Sequence, residues 1–474
     1  MPESVDVAIV GGGLSGLTAA LQVLKAKPKA KVLLLEASNR LGGRVKTVEL
    51  KTAHGVDHWD IGGQWVGKRQ TAVMELLKEL GVLTFPQQSA GKHLALLEPD
   101  ASVEEYEGDD MAGGVRASLD AWNLFRKLEK ESKPIKVREG LGGIAAKDWR
   151  EWEKMSLEDW LKAKGWTRGG RENVRLAMET VFDAPCESMS FPFALFYIAA
   201  AGGDIEALLG DSEDGSQSER IVDGAGGLPP KMAERIGQDK IRLQAPVQRI
   251  VQSTNSVQLL LSSGEEIVAR RVIVAVPPPQ IGRIEFRPPL GARKQALLAK
   301  YQFRGDKTVK FVVTYREAFW RAKKQSGESI CCERAVEGTG ERLPPIITFD
   351  ATTTNGSPAL VGFAELSSHL SKNKRCRLVV EQLGAVLGPE AEEKLDYEDV
   401  VWFLEEFIGG AVATVAPGAM PKDFPKLMQE PLGRVHWAGT ESASAWLGYI
   451  NGAVEAGKRA GEEVAAALPD QLLL

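Results

Sequence analysis

A strand–turn–helix–strand unit at the N-terminus is the feature that most constrains this chain. An apolar run at 5–10 leads into the glycine-rich turn 11–16 (GGGLSG), an amphipathic helix over 17–25, and a second apolar strand over 31–35 that ends on Glu36. The glycines of a G-x-G-x-x-G turn permit a tight turn, close approach of a pyrophosphate and close helix packing. Because Glu36 follows the last glycine by 20 residues, its carboxylate is placed to accept both hydroxyls of an adenosine ribose. The unit predicts a dinucleotide-binding site at a helix N-terminus.

The residues after Glu36 indicate which dinucleotide is bound. The run 36–44 (EASNRLGGR) resembles the signature of FAD proteins of the flavin amine oxidase superfamily rather than that of nicotinamide dehydrogenases. Its two arginines, Arg40 and Arg44, suit a pyrophosphate because guanidinium groups pair bidentately with phosphate. A second glycine turn at 60–67 (DIGGQWVG) offers backbone that can approach an isoalloxazine ring.

Length, charge and cysteine content exclude several classes of protein. A chain of 474 residues is too long for one core, so at least two domains are expected. The net charge of −5 argues against a nucleic-acid or acidic-membrane partner. Four cysteines are too few for a disulfide framework, and neither a leader nor an apolar run of membrane-spanning length is evident. We expect a cytoplasmic protein with no membrane anchor, and its oligomeric state is left open, with a homodimer as one possibility.

The order of motifs predicts two interleaved, discontinuous domains. The fold class expected is α/β, with a Rossmann-like FAD-binding domain of the flavin amine oxidase type and an interleaved α+β substrate domain containing helices and a sheet. Residues 1–89, 215–290 and 395–474 are assigned to the FAD-binding domain. Residues 90–214 and 291–394 are assigned to the substrate-binding domain, whose first part is rich in helical, polar sequence.

The C-terminal segment 437–457 (WAGTESASAWLGYINGAVEAG) carries the most specific resemblance. With the N-terminal motifs, it is similar to flavin-containing monoamine oxidases and their bacterial and fungal relatives, including putrescine oxidases. The resemblance implies that Glu441 contacts the ribityl chain and that the turn at 448–450 meets the flavin pyrimidine edge. It also implies that the Val247 backbone lies beside the adenine. Lys310 matches the family lysine that holds a water at flavin N5, where a cation favours electron transfer to O2.

Two departures from the family pattern bear on the cofactor and substrate. Members with covalent flavin have a Gly-Gly-Cys-Tyr turn, whereas this chain has Ala411 and Val412 after its two glycines. Alanine cannot form the thioether, so the FAD is expected to be non-covalent. Val412 also replaces one half of the aromatic cage that flanks the amine, which leaves Tyr449, helped by Trp446 or Trp402. No metal site is expected.

The resemblance implies an FAD-dependent amine oxidase in which Lys310 and Tyr449 are the catalytic residues. A hydride passes from the amine α-carbon to flavin N5, the imine leaves and hydrolyses, and O2 is reduced to hydrogen peroxide. The partners are therefore a small-molecule amine and O2, and the substrate contacts are assigned to Tyr449, Trp446 and Val412. The cofactor-binding residues assigned are Gly11, Gly13, Leu14, Ser15, Gly16, Glu36, Ala37, Arg40, Gly43, Arg44, Gly62, Gly63, Gln64, Trp65, Val247, Trp402, Gly439, Glu441, Gly448, Tyr449 and Ile450.

Three alternative functions remain open. An L-amino-acid oxidase would need an arginine for the substrate carboxylate, but Gln64 and Trp65 stand in the turn where that relative carries it. A diamine or polyamine oxidase would need acids in the cavity for a distal ammonium, within 90–214 or 330–350. The third alternative is a flavoprotein desaturase or a non-catalytic FAD-binding scaffold.

Overall fold

Two sheets organise the computed structural model, which describes residues 2–99, 101–107, 113–210, 212–336, 338 and 340–469. The first sheet contains the N-terminal strand Glu3–Val10, which pairs in parallel with Val32–Leu35 on one side and with Glu266–Val274 on the other. Six of the eight residues of Glu3–Val10 are buried, as expected for a parallel strand covered on both faces. The turn at residue 11 therefore lies at the carboxyl edge of parallel strands, where α/β sheets bind ligands.

The remaining strands of the first sheet come from distant parts of the chain. In spatial order the sheet runs Ile241–Arg242, Val32–Leu35, Glu3–Val10, Glu266–Val274, Val257–Leu261, Val247–Gln252 and Glu285–Arg287, and Val435–Trp437 pairs in parallel with Glu266–Val274. The α/β class predicted from the sequence is confirmed.

The helix after the glycine turn begins at Leu14, three residues earlier than the sequence pattern predicted, and ends at Ala26. Gly16 is consequently inside the helix, and a Cβ added there would overlap the carbonyl oxygen of Gly11. The third glycine of the motif thus permits the close helix–strand packing expected of it. The C-terminal helix Ile450–Ala467 packs against Leu14–Ala26, with Gly457 close to the backbone of Ser15.

Within the described residues, the second sheet has seven strands and is separate from the first. Its spatial order is Asp396–Val400, Thr308–Thr314, Ala359–Glu365, Ile346–Asp350, Gln325–Cys331, Lys92–Leu96 and Glu104–Tyr106. The helix Lys372–Leu387 covers one face of this sheet, where Leu378, Val379 and Leu383 are buried.

A group of helices between residues 115 and 209 builds a third core, here called the helical cap. Its α-helices are Val115–Ser132, Ala146–Trp152, Leu157–Lys164, Arg168–Phe182, Phe191–Ala200 and Ile205–Leu209. Phe191–Ala200 is apolar on all sides and almost wholly buried, as a central helix must be. The cap core also takes in Tyr301, Phe424 and Trp446 from later segments.

The other α-helices described are Thr71–Leu80, Leu228–Ile236, Pro278–Ile281, Ala292–Lys300, Phe319–Ala322 and Phe424–Gln429. Shorter strand pairs join Thr47–Thr52 to Gly55–Asp60, Tyr301–Phe303 to Ala413–Val415, and Arg334–Ala335 to Arg342–Leu343, while Glu219–Ile221 pairs with both Trp65–Val66 and Thr84–Pro86. In the described part of the chain, no helix has the length and hydropathy needed to cross a bilayer.

The domain boundaries expected from the sequence stay a prediction. The strand Asp396–Val400 pairs with Thr308–Thr314 in the second sheet, although the division at residue 395 assigned it to the FAD-binding domain. Strands also occur at Lys92–Leu96 and Glu104–Tyr106, within the segment expected to be helical. Lys92–Leu96 pairs with Gln325–Cys331, more than 200 residues later, and Glu104–Tyr106 pairs with Lys92–Leu96. A local sequence pattern contains no record of the distant partner.

Candidate active site

A cavity of about 560 Å³ lies where the first sheet, the second sheet and the helical cap meet. It is lined by most of the residues that the sequence assigned to a cofactor and substrate. These are Gly11, Gly13, Leu14, Ser15, Glu36, Gly43, Arg44, Gly62, Gly63, Gln64, Trp65, Lys310, Trp402, Val412, Gly439, Gly448, Tyr449 and Ile450. Motifs more than 400 residues apart therefore share one site.

Glu36 lines the cavity at the end formed by the glycine turn. Its side chain is 8% exposed and accepts hydrogen bonds from the backbone N–H of Gly12 at 2.6 Å and of Ser38 at 2.8 Å. Beside it, a Cβ on Gly13 would have no neighbour nearer than 3.9 Å among the described residues, and Gly13 lines the cavity. A side chain at 13 would project into the space where the helix N-terminus can meet phosphates.

Arg44 ties the N-terminal and C-terminal motifs together across the cavity. One of its guanidinium nitrogens lies 2.7 Å from a carboxylate oxygen of Glu441 and donates to the carbonyl of Ala411 at 2.9 Å. Glu441 is 3% exposed, so the ion pair is largely protected from solvent. This pairing fixes the carboxylate that the resemblance places at the ribityl chain.

Six predicted residues lie outside the cavity lining. Arg40 donates to the backbone carbonyls of Leu41, Val45 and Gly43, so its guanidinium shapes the loop and is not presented to a pyrophosphate. Trp446 is buried in the core of the helical cap, where its ring packs edge-on against Tyr449, and it does not line the cavity. Gly16, Ala37 and Val247 are also absent from the cavity wall. Glu441 reaches the site only through its pairing with Arg44.

Lys310 projects from the strand Thr308–Thr314 onto the second glycine turn. Its Nζ donates to the carbonyl oxygen of Gly62 and to Oε1 of Gln64, both at 2.6 Å. The rings of Trp65 and Phe363 lie 5.2 and 5.7 Å from the same nitrogen, measured to their centroids. Lys310 as a whole residue is 4% exposed, and it borders the cavity.

Burial lowers the pKa of Lys310 to about 7, an effect that the charge of Asp60 opposes and that of Arg220 reinforces. The pKa of Asp60 is itself raised, chiefly by burial, although hydrogen bonds from Thr47 and Ala225 lower it. A buried amine with a pKa near neutrality exchanges its proton in the physiological range. Lys310 is thus poised to be present as a cation or as a neutral amine.

Aromatic side chains line the cavity on two sides. Tyr449 lies 6.0 Å from Tyr197 and 5.6 Å from Trp446 between ring centroids, and its hydroxyl donates to the carbonyl of Leu208 at 3.0 Å. Burial raises the pKa of Tyr449 above its ordinary value, so the phenol stays protonated. On the Lys310 side, Phe349 packs edge-on against Trp65 at 5.3 Å.

Sequence reasoning missed a group of acids where helix Arg168–Phe182 meets the second sheet. Glu179, Asp183, Asp306 and Glu365 line this part of the cavity, together with the cations Arg304 and Lys307. The pKa of Asp183 is raised to about 6, chiefly by burial; hydrogen bonds from Thr308 and the Ala411 backbone lower it, and the charges of Asp306 and Glu365 raise it. No motif marks these residues, because they come from a helix end, a loop and a strand that only the fold brings together.

The lining fits a flavin dinucleotide. Glu36 and the open side of Gly13 suit the ribose and pyrophosphate. At the other end, the amide Nε2 of Gln64 is a buried donor for which no described residue supplies an acceptor. The N-terminus of helix Ile450–Ala467 also opens onto the cavity at Tyr449 and Ile450, which suits the negative charge that develops on a reduced ring.

Comparisons with known proteins agree with this geometry. The family model described as flavin containing amine oxidoreductase matches residues 14–465. Flavin-containing amine oxidase A of Equus caballus is 31% identical over 473 residues, covering 98% of this chain and 85% of that protein. The probable flavin-containing monoamine oxidase A of Dictyostelium discoideum is 30% identical and covers 98% of both chains.

Solved structures of similar proteins have the same fold. Putrescine oxidase bound to putrescine aligns with a TM-score of 0.85 at 28% identity, over 98% of this chain and 99% of that chain. Cyclohexylamine oxidase from Brevibacterium oxydans aligns with a TM-score of 0.85 at 25% identity, again over 98% and 99%. The flavin amine oxidase type of fold expected from the sequence is confirmed.

Replacing Glu36 by alanine is expected to weaken dinucleotide retention at least tenfold, because the ribose hydroxyls lose a charged acceptor, worth about 1.5–3 kcal/mol. The dissociation constant is measured by titrating apoprotein with FAD and following flavin fluorescence. Asp6→Asn, a change of another buried acid in the first sheet, serves as the control for altered folding. Unchanged affinity in Glu36→Ala would contradict the ribose assignment.

Proposed function

This chain belongs to the family of flavin-containing amine oxidoreductases and is an amine oxidase; we propose that it holds FAD non-covalently and oxidises small amines with O2. The observation that carries the proposal is the shared cavity, in which the glycine turn, Lys310 and the C-terminal turn at 448–450 all meet. The glycine turn supports binding of the dinucleotide. Lys310 supports a place for the redox ring, and the turn at 448–450 supports a place for the pyrimidine edge of that ring.

The cofactor contacts proposed are residues of the cavity lining, together with Glu441, which pairs with Arg44. Gly13 and Glu36 serve the pyrophosphate and ribose, Arg44 and Glu441 act as a pair beside the ribityl chain, and Gly63 lines the cavity at the ring. Arg40 is left out of the pyrophosphate contacts because three backbone carbonyls occupy its guanidinium. Val247 keeps only its expected backbone role beside the adenine.

The residue at 411 supports non-covalent attachment. Ala411 lines the cavity and accepts a hydrogen bond from Arg44 through its carbonyl, but it has no thiol or other nucleophile. The four cysteines of the chain are free, and Cys331 alone among them lines the cavity. Burial raises the pKa of Cys331 to about 12, which keeps that sulfur as an unreactive thiol.

The flavin, when bound, supplies the acceptor for the hydride that leaves the carbon next to the amine nitrogen, and the route by which the electrons reach O2. The protein binds and orients the amine and excludes water from it. An apolar wall of Trp65, Phe349 and Phe363 favours the neutral amine, because desolvation disfavours an ammonium. Tyr449 presents an aromatic face, and Lys310 holds a proton at Nζ on the oxygen-reacting side.

A diamine is the second candidate substrate class, because the cavity carries acids at one end. Asp183 receives hydrogen bonds from the Thr308 side chain and the Ala411 backbone, next to Val412, which replaces the cage tyrosine. Thr308 is in turn paired with Glu365 across two strands. These carboxylates are suited to hold a distal ammonium, although Arg304 and Lys307 offset part of their charge.

The oligomeric state and the cytoplasmic location stay predictions from the sequence. The four free cysteines support a reducing compartment. A homodimer remains to be tested by measuring the mass of the protein in solution.

We expect the purified protein to be yellow and to release its flavin into the supernatant on acid precipitation, because no covalent bond holds the cofactor. The same preparation should produce hydrogen peroxide with amines, measured by a peroxidase-coupled assay over aryl amines, alkyl amines, diamines, polyamines and amino acids. Flavin remaining in the protein pellet would contradict the non-covalent proposal, and a lack of peroxide with every amine would favour the scaffold alternative.

Lys310→Met is expected to slow reoxidation of the reduced enzyme by O2 at least tenfold while changing flavin reduction by less than threefold. The reason is the loss of a cation that stabilises the negative charge passed to oxygen. In the unmodified enzyme, the reoxidation rate constant should fall as pH rises through about 7, where Lys310 loses its proton. Stopped-flow absorbance follows each half-reaction, and equal effects on both would contradict this role.

If diamines are the substrates, Asp183→Asn should raise the KM for a diamine about tenfold and leave that for a monoamine of equal length unchanged. The distal ammonium loses a charged partner worth roughly 1.5 kcal/mol. The diamine KM of the unmodified enzyme should also rise as pH falls below about 6, where Asp183 gains a proton. Glu187→Gln, an exposed acid outside the cavity lining, is the matched control. Equal KM changes for both amines would argue against diamines.

A further inference from the structure

Gln64 is held in one orientation by its contact with Lys310. The lysine Nζ lies 2.6 Å from Oε1 of Gln64, and the charged amine has three N–H groups to donate and no lone pair with which to accept. Because the amide oxygen is the acceptor, the amide NH2 must occupy the other branch of the side chain. The usual ambiguity between amide oxygen and nitrogen is therefore settled by the hydrogen-bond network.

The second branch of the amide has no protein partner in the described part of the chain. Gln64 is 3% exposed, its Nε2 is inaccessible to solvent, and no acceptor lies within hydrogen-bonding distance of it. A buried amide donor without an acceptor costs about 1–3 kcal/mol. Gln64 also lines the cavity beside Gly62 and Gly63, so a ligand bound in that cavity lies next to this side chain.

We propose that Gln64 is a positioning residue for Lys310 and that the same amide donates a hydrogen bond from Nε2 to the isoalloxazine ring. This inference rests on the proposed function, in which Lys310 assists oxygen reduction beside that ring. The amide then joins the lysine to the cofactor: its oxygen fixes the place of Nζ, and its nitrogen fixes the distance of the side chain from the ring. Gly62 supplies the second acceptor, and as a backbone carbonyl it cannot be altered by substitution.

The positioning role has a pH signature. An acceptor on Lys310 favours the charged form of the amine, so removing it should lower the pKa of Lys310, and replacing it by a carboxylate should raise that pKa. The other charged groups that act on Lys310 within the described residues are Asp60, which raises its pKa, and Arg220, which lowers it. Both remain in place when residue 64 is changed, so opposite shifts in two variants report on Gln64 itself.

The experiment compares Gln64→Met and Gln64→Glu holoenzymes with the unmodified holoenzyme and with Gln70→Met. Gln70 is 0% exposed, has both amide atoms unpaired among the described residues, and does not line the cavity, so it controls for the loss of a buried amide. The pH midpoint for reoxidation by O2 is measured by stopped flow. The visible spectrum of the oxidised flavin and the dissociation constant of FAD are recorded without substrate.

We expect the acid dissociation constant of Lys310 to rise about tenfold in Gln64→Met and to fall about tenfold in Gln64→Glu, and to be unchanged in Gln70→Met. Both Gln64 variants should shift the visible flavin bands and weaken FAD binding several-fold, because both lack the NH2 donor. If Gln64→Met does not retain flavin, Gln64→Glu alone still tests the direction of the midpoint shift.

Unshifted midpoints, or shifts of the same sign in both variants, would overturn the positioning role. An unaltered flavin spectrum and FAD affinity would overturn the hydrogen bond from Nε2. Lys310→Met separates these failures from that of the proposed function. If it abolishes the pH dependence while the Gln64 variants leave the midpoint in place, only the inference fails. If it leaves the pH dependence unchanged, the proposed role of Lys310 itself is wrong.

Discussion

The packing of the last helix on the first is the contact on which the site depends. Helix Ile450–Ala467 lies against Leu14–Ala26 through glycines that leave no room for side chains, and the N–H of Gly439 donates to the Ser15 hydroxyl across 424 residues of chain. Both helices begin at the cavity, so their positive ends converge on it. A dinucleotide with a redox ring needs favourable charge at its phosphates and at its pyrimidine, and one helix N-terminus serves each.

The second glycine turn, at 60–67, explains why Lys310 is buried. The glycine turn at 60–67 follows the strand Gly55–Asp60, and its backbone lies directly over the second sheet, where Lys310 reaches the Gly62 carbonyl. The amine is enclosed by protein on the sheet side and by Trp65 and Phe363 around it. Burial of this kind lowers the pKa of an amine, and the two acceptors at 2.6 Å limit how far the charged form is disfavoured.

Most residues that the sequence assigned to the cofactor line one cavity, whereas the acids at its other end were not predicted from the sequence. Glu36, Gly13 and Gly448 belong to turns whose spacing alone determines their geometry, and all three line the cavity. Arg40 was assigned to the pyrophosphate because its type and position suit a phosphate, yet nearby carbonyls bind it. Asp183 was not predicted: it follows the C-terminal end of helix Arg168–Phe182, and only the fold brings Asp306 and Glu365 near it.

The acids at one end of the substrate region favour a charged amine, whereas the aromatic wall at the other end favours a neutral one. In the proposed reaction, this difference determines where the amine loses its proton. An amine in water carries a proton, and the carboxylates of Glu179, Asp183 and Glu365 attract that charged form. The wall of Trp65, Phe349 and Phe363 disfavours a charge, so a monoamine must lose its proton between the two regions. A diamine escapes this conflict, because one nitrogen can remain an ammonium at the acids while the other is neutral at the aromatic wall. For this reason the acids favour diamines, although Tyr449 and the apolar wall alone suit any small amine.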